Sequence, residues 1–454
     1  MRLRKMTLLI LAALLLVSFT ACDSKEKKGV DNKKSTSNLK IYYMDYDMKI
    51  QNALSKFSEK YKDVNVDGNI FHNNDDYKTK VTMDILSGEG PDVIFLRPGW
   101  FESVNKFSSS GALCDLNEFI KKDEDFKMSD YNENILNSFE KDGKRLIIPL
   151  NYTANMLITS KEALQRNNIK IDLSNWSYNG LLQVARKFQE ENRDKNKYLF
   201  DDGFSISRLI KGSGILFVDF KNKKSMFNSK DFIEILETYK GIYPAICTDE
   251  AVKGVSIDNC LKNDAYIMTV DSKTSLYSIS SNYSLYKSIG EEMELYPFPA
   301  LKEGNSSPVF YSDYAVGINS QSKNKEAAYD FIKILMSKDL QKMSGGENII
   351  METPVNKAAY EEDSGYYMGK ESEGISWTTS NDGSSSYSYL SISLPKNIKV
   401  QLDSMISKTG KCEIEDTGIL NIVKEALPDF LSSKKTAAQT AKEIDGKVSL
   451  YLNE

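Results

Sequence analysis

Ser87-Gly88-Glu89-Gly90-Pro91-Asp92-Val93-Ile94-Phe95-Leu96 closes one element and opens the next. Ahead of it, a helix predicted from about Tyr77 to Leu86 stops at Gly88. Behind it, Asp92 to Leu96 is almost wholly apolar, the pattern of a strand covered on both faces. Toward the N-terminus, Leu39-Lys40-Ile41-Tyr42-Tyr43 reads as a first strand. Ile50, Ala53, Leu54, Phe57 and Tyr61 then recur at helical spacing, and Val64 to Ile70 is a second strand. Strands alternating with helices imply crossover units and a parallel sheet. Toward the C-terminus, Leu146 to Leu150 and Asn155 to Thr159 read as strands split by a polar interruption, and Tyr266 to Val270 as another. Tyr314 to Ile318 precedes a helix with Ala327, Ala328, Phe331, Ile332, Leu335 and Met336 on one face, and a helical tail runs from Ala437 to Leu452. Ser372 to Ser391 is rich in Ser, Gly and Tyr and holds Trp377; it reads as a flexible surface loop or as one that orders over a ligand.

Residues 1–21 read as an export signal. Arg2, Arg4 and Lys5 form a cationic start, and the apolar run Leu8 to Val17 is well short of the roughly 18 residues that span a bilayer. Small Thr20 and Ala21 lead into Cys22. Asp23 to Asn38 is dominated by Lys, Ser, Asn and Asp and cannot bury enough apolar surface to fold. Residues 22–38 are therefore expected to be a tether, with a typical reach of roughly 20–25 Å.

The 454 residues carry 59 Lys and Arg against 64 Asp and Glu, a formal net charge of −5, with no strong basic block. That balance argues against a nucleic-acid partner, because phosphate binding wants clustered cations. The single histidine, His72, lies in the polar connector Phe71 to Asp75 and is expected to be solvated. Catalytic triads and multi-histidine metal sites have only this one imidazole to draw on. No CxxC pair occurs among Cys114, Cys247, Cys260 and Cys412, so a zinc or redox motif has no support. Cys247 and Cys260 could pair outside the cell or remain buried thiols. Neither Asn73 to Asp76 nor Asp123 to Asp125 has calcium-loop spacing. No cofactor is implied. Paired carboxylates could hydrolyse glycosides without histidine, yet no local motif marks such a pair.

Several separated motifs share one order. Ser87 to Val93 has a small-Gly-x-x-Pro-Asp-Val turn. Gly111-Ala112-Leu113-Cys114-Asp115-Leu116 follows, and then Asp142 to Leu150. Asn175-Trp176-Ser177 stands at a helix start. Ser322 to Ala328 with Phe331 and Ile332 comes next, and Thr353-Pro354-Val355-Asn356-Lys357 completes the set. Together they resemble the family 1 extracellular solute-binding proteins of ABC importers, the maltose-binding-protein type. Phe19-Thr20-Ala21-Cys22 is similar to the lipobox of bacterial lipoproteins, whose cysteine is acylated. The resemblance implies an α/β fold of two lobes (type II periplasmic-binding-protein-like) joined by three hinge crossings, with ligand held in the cleft. The crossings are expected near Tyr152–Met156, Val309–Asp313 and Glu352–Asn356. The lobes are expected to comprise 39–152 plus 313–353 and 156–310 plus 357–454.

Ligands in open α/β sheets gather at the carboxyl ends of strands. Asp45 and Tyr46 follow the first strand; a carboxylate accepts hydroxyl hydrogen bonds and a tyrosine ring offers a flat face to a pyranose. Arg97 and Trp100 follow the third strand. Tyr152 and Asp313 lie at hinges, Asp271 ends the strand Tyr266–Val270, and Trp377 sits in the Ser-rich stretch. Trp176 reads as a packing residue. The function implied is a non-enzymatic, substrate-binding lipoprotein of an ABC importer that takes up a sugar or oligosaccharide. It would be anchored through Cys22 on the outer face of the cytoplasmic membrane, monomeric, and served by permease subunits. A sensor or adhesin on the same fold, or an extracellular polysaccharide-acting enzyme, stands as the alternative.

Overall fold

A computed structural model describes residues 37–101, 103–192, 196–302, 309–342, 352–369, 372–379, 385–408 and 410–454. The export signal and nearly all of the tether lie outside these residues, as does Cys22.

The opening βαβαβ run forms as its periodicity predicts: β1 (Ser37–Met44), α1 (Met48–Lys60), β2 (Val64–Phe71), α2 (Asn74–Ser87) and β3 (Val93–Leu96). Asn73 caps α2, its side chain accepting from the Asp76 amide, so this helix starts three residues earlier than the apolar pattern suggests. Gly88 ends it in the left-handed conformation, φ 80°. Gly90 is required by space: a Cβ there would lie 2.9 Å from Ile85 Cγ1 and 3.0 Å from Asn319 Nδ2. Asp92 then locks the turn to a distant segment. Its Oδ2 accepts from the Lys40 amide at 2.7 Å and its Oδ1 from Ser322 Oγ at 2.5 Å. Two motifs separated by more than two hundred residues thus meet at one carboxylate.

Five strands form the first sheet, in the order Val64–Phe71, Ser37–Met44, Val93–Leu96, Ala315–Ile318, Ile148–Pro149. The first three are parallel, but Ala315–Ile318 runs antiparallel to both of its neighbours, so the expected all-parallel sheet is mixed. The cause is topological. β1 and β3 end at one edge, and a chain returning to the sheet across that edge must run away from it. The helix Lys325–Leu335 buries Phe331 against Phe57 of α1, ring centroids 5.8 Å apart. Each such fully buried side chain contributes roughly 1.5–3 kcal/mol.

A second sheet holds Met293–Pro297, Met156–Ser160, Tyr266–Asp271 and Tyr198–Phe200 in that order. Separate cores follow. One apolar cluster runs from Leu39 to Ala154 and resumes from Phe310 to Val355, with Cys412 and Ile414 added; two others draw on Met156 to Leu301 and Tyr367 to Leu452. The C-terminal pair, Thr417–Leu431 and Ala437–Asn453, packs on the second sheet's side, its last helix started by a Thr436/Gln439 capping box.

Ser372 to Ser391 is not a loop. It forms an antiparallel hairpin of Ser372–Thr379 with Ser385–Ile392, in which Trp377 pairs with Tyr387. Serine alternating with larger residues is a period-two signal that the low-complexity composition obscures. Cys114, Cys247, Cys260 and Cys412 are free thiols. Among the described residues, no helix is long and apolar enough to cross a membrane, and no group of three His, Cys, Asp or Glu is arranged to hold a metal ion.

Candidate functional site

Three chain segments pass side by side between the two sheets. Asn151–Tyr152 pairs antiparallel with Thr353–Pro354, while Thr153 and Tyr311 exchange backbone bonds of 2.8 and 2.9 Å. Their side chains converge on Asn151, which is 3% exposed. Its Nδ2 donates to Asp313 Oδ1 at 2.5 Å and to Glu352 Oε2 at 3.3 Å, and its Oδ1 accepts from Ser312 Oγ. One amide therefore ties together a carboxylate from the second crossing and one from the third.

The wall on the first lobe is charged. Arg97, at the end of β3, lies over the rings of Tyr314 (4.7 Å) and Trp100 (5.5 Å). Its Nη2 stands 4.0 Å from Asp313 Oδ2. Tyr314 donates its hydroxyl to Asp47 Oδ2 at 2.5 Å, and Asp47 Oδ1 accepts from the Ile50 amide to cap α1. Two residues into that helix, Lys49 is buried. Burial pulls its ammonium down to about 8, with Arg97 adding to the fall and Asp47, Glu352 and Asp313 opposing it. Burial also pushes Glu352 up to about 7, reinforced by the Asp313 carboxylate and resisted by Arg97 and Lys273. Lys273 belongs to the turn after the second lobe's strand Tyr266–Asp271, so both lobes act on this carboxyl. In the same turn Thr274 Oγ1 lies 2.8 Å from Thr353 Oγ1.

On the second lobe, Asp271 turns inward on its own loop. Its Oδ1 accepts from the Ser272 and Lys273 amides and its Oδ2 from Asn282. Arg208 stands beside it, holding Asn155 Oδ1 at 2.7 Å through Nη1. Burial lowers the guanidinium's proton affinity, and Asp271, Asp201 and Glu415 act to restore it. Asp201 accepts from the Val270 amide, and burial pushes it up to about 7. Further along, Lys211 pairs with Glu415 and lies over the Tyr311 ring.

The residues singled out from sequence sort into three groups. Arg97 and Asp313 meet at the crossings. Asp45 and Tyr46 are exposed, and Asp45 Oδ2 is 2.7 Å from His72 Nδ1, so the histidine is solvated yet paired. Trp100 and Tyr152 present almost no surface, 3% and 4% exposed. Trp100 packs on Tyr77 with centroids 4.8 Å apart, and Tyr152 on Phe310 at 5.8 Å. Asp271 accepts from two amides of its own turn and from Asn282, which leaves room at Oδ2 for one further donor. Trp377 has a described backbone, but its side chain lies outside the described residues. Asp47, Lys49, Asn151, Glu352, Arg208 and Lys273 join the site without having been singled out. Glu352 could have been, since it immediately precedes the Thr353-Pro354 break. Arg208 carries no local signal.

The model of the bacterial extracellular solute-binding protein family matches residues 45–342. The chain belongs to that family. Solved structures agree on the fold. The sugar-binding protein MalE from Xanthomonas citri is 12% identical with a TM-score of 0.67, over 92% of this chain and 98% of that one. An ABC substrate-binding protein from Listeria monocytogenes in complex with cycloalternan is 14% identical, TM-score 0.61, over 92% and 99%. The GacH receptor of Streptomyces glaucescens, solved unliganded and with acarbose, is 16% identical, TM-score 0.58, over 92% and 99%. At these identities the likeness is one of fold: two α/β lobes joined by three crossings with a cleft between them. The charged residues around Asn151 line the crossings of this solute-binding fold.

Proposed function

We propose that this chain captures a sugar or oligosaccharide outside the cell by closing its lobes, 39–152 plus 313–353 and 156–310 plus 357–454, and hands it to the permease of an ABC importer. It does so as a monomer anchored to the cytoplasmic membrane by lipid on Cys22, and it makes or breaks no covalent bond in the ligand. What carries the reading is the gathering of charged groups from both lobes on the crossing segments: Arg97 beside Asp313, itself bonded to Asn151, from one side, and Arg208 bonded to Asn155 from the other. Arginines and carboxylates side by side supply donors and acceptors together, which is what a hydroxyl, itself both, requires. The family and the sugar-bound relatives of the same fold support the choice of solute.

Asp45, Tyr46, Arg97, Asp271, Asp313 and Trp377 are the contacts proposed. Trp100 and Tyr152 act behind them, Trp100 as the surface on which Arg97 rests and Tyr152 as packing for the crossing. A ligand favours the closed form only by binding it more tightly than the open one. Taking the lobes from 1:99 to 99:1 closed needs about 5.5 kcal/mol of such preference. Hydrogen bonds to charged groups contribute about 1.5–3 kcal/mol each, so two to four made only on closure suffice. Calorimetry against maltose, cycloalternan, acarbose and free amino acids tests the reading. Saturable binding of a carbohydrate supports it; binding of an amino acid with no carbohydrate binding refutes it.

A further inference from the structure

Lys49 is placed against three physical preferences at once. It occupies the second position of α1, where the helix dipole disfavours a cation. The residue is only 7% exposed, and stripping most of the water from a lysine side chain is costly unless its ammonium is paired. Among the described residues it makes no hydrogen bond, and no carboxylate oxygen comes within ion-pair distance of it. The contrast with Arg145, a comparably buried cation, is direct: Arg145 donates to Leu136 O, Asn117, Asn137 and Glu140. Arg145 is saturated with acceptors, and Lys49 is not.

Its surroundings say what would saturate it. The charges acting on Lys49 are Asp47, Glu352, Asp313 and Arg97. Asp47 is already committed to Tyr314 and to the cap of α1. Arg97 is held in place by the Trp100 and Tyr314 rings, with its nearest carboxylate oxygen 4.0 Å off, beyond hydrogen-bond range. Arg97, held by its two rings, and Lys49 at the start of α1 therefore both act on two carboxyl groups, Asp313 and Glu352, which are anchored by a single amide. Such a set, alternating donor and acceptor, matches adjacent hydroxyls on a ring, each accepting from a cation and donating to a carboxylate.

We propose that Lys49 is a ligand-binding residue, and that with Arg97, Asp313 and Glu352 it grips the edge of an uncharged polyhydroxylated ring through adjacent hydroxyls. This inference rests on the sugar-binding reading above. The first lobe then reads its ligand by charge-assisted hydrogen bonds, with its one described tryptophan serving as a support beneath Arg97.

The test uses Lys49→Met and Lys49→Arg in the intact protein, with unfolding midpoints measured without ligand and in the presence of maltose, tagatose, cycloalternan and acarbose. A cation kept for the ligand is dispensable to the fold, so the ligand-free midpoint of Lys49→Met is expected to equal or exceed that of the native chain. Any sugar that shifts the native midpoint is expected to lose at least 100-fold in affinity for Lys49→Met, with partial recovery in Lys49→Arg. A ligand-free midpoint lowered by several degrees in Lys49→Met marks the residue as a structural counter-charge and overturns the proposal. Undiminished binding by Lys49→Met does so too. If none of the four sugars binds the native protein, the sugar reading fails and the proposal that rests on it fails with it, whereas a sugar that binds the native chain and Lys49→Met alike overturns the proposal alone.

Discussion

Glu352 gives the sharpest quantitative expectation. Its carboxyl rises from an ordinary 4.5 to about 7, because burial and the neighbouring Asp313 disfavour the charged form more than Arg97 and Lys273 favour it. In the unfolded chain the group titrates at its ordinary value. Below pH 4.5 both states hold the proton. Between 4.5 and 7 the folded state keeps it while the unfolded state loses it, so stability falls as pH rises; above about 7 the loss is complete. Because each tenfold difference in proton affinity is worth about 1.4 kcal/mol, the full effect is bounded at about 3 kcal/mol. Sharing of the proton with Asp313 reduces it, leaving about 1–3 kcal/mol. Glu352→Gln mimics the protonated form at every pH. The variant should match the native protein at pH 4.5 and exceed it at pH 8, by roughly 2–6 °C in unfolding midpoint at roughly 2 °C per kcal/mol. Taking the difference between the two proteins across pH 4.5–8 matters, because Asp201 and Glu413 are also pushed up to about 7 and shape the native profile. A difference that stays flat across that range would refute the reasoning, since Glu352 would then titrate as an ordinary surface carboxyl.

Other expectations are smaller in scope. Gly90→Ala should destabilise the fold by about 1–3 kcal/mol in denaturant titration, because its methyl group collides with Ile85 and Asn319. Gly88→Ala, where φ is 80° and the added Cβ would meet only the end of the Gln321 side chain at 3.3 Å, should cost about 1–2 kcal/mol by the same assay. Arg208→Ala should weaken ligand binding in calorimetry by at least tenfold with the unfolding midpoint held within a few degrees; a collapse in stability with affinity retained would make it a scaffold residue. Cys22→Ala should move the protein from the membrane to the medium on cell fractionation and abolish labelling by a fatty-acid probe.

Much of the fold is legible in the sequence because it is written locally. The β1 to β3 run follows hydrophobic period alone, and Gly88 and Gly90 declare a turn that the backbone and the space around it both demand. What period could not give is direction. Ala315–Ile318 reads as a strand, but its antiparallel course follows from the edge at which the chain re-enters, a property of the whole topology. The Ser372–Ser391 hairpin was hidden by composition, since small residues on alternate positions mute the apolar signal. Of the strand-end and hinge residues, Arg97 and Asp313 come together at the crossings, whereas Trp100 and Tyr152 are buried in packing; aromatic residues at a strand end serve equally well as packing, and burial is decided by neighbours distant in sequence. Asn151 and Glu352 gain their meaning only when three crossings come together. Nothing in the sequence sets Lys49 apart from the exposed lysines; its burial does.

The claim beneath all of this is that two lobes move as rigid bodies around the segments at Asn151, Asp313 and Glu352 and shut on a carbohydrate. Small-angle X-ray scattering, with and without a saturating sugar identified by calorimetry, measures that directly. The account predicts a smaller radius of gyration and a narrower distance distribution when the sugar is bound, with native-like unfolding cooperativity retained. Scattering curves that superimpose although calorimetry shows the site filled would contradict it.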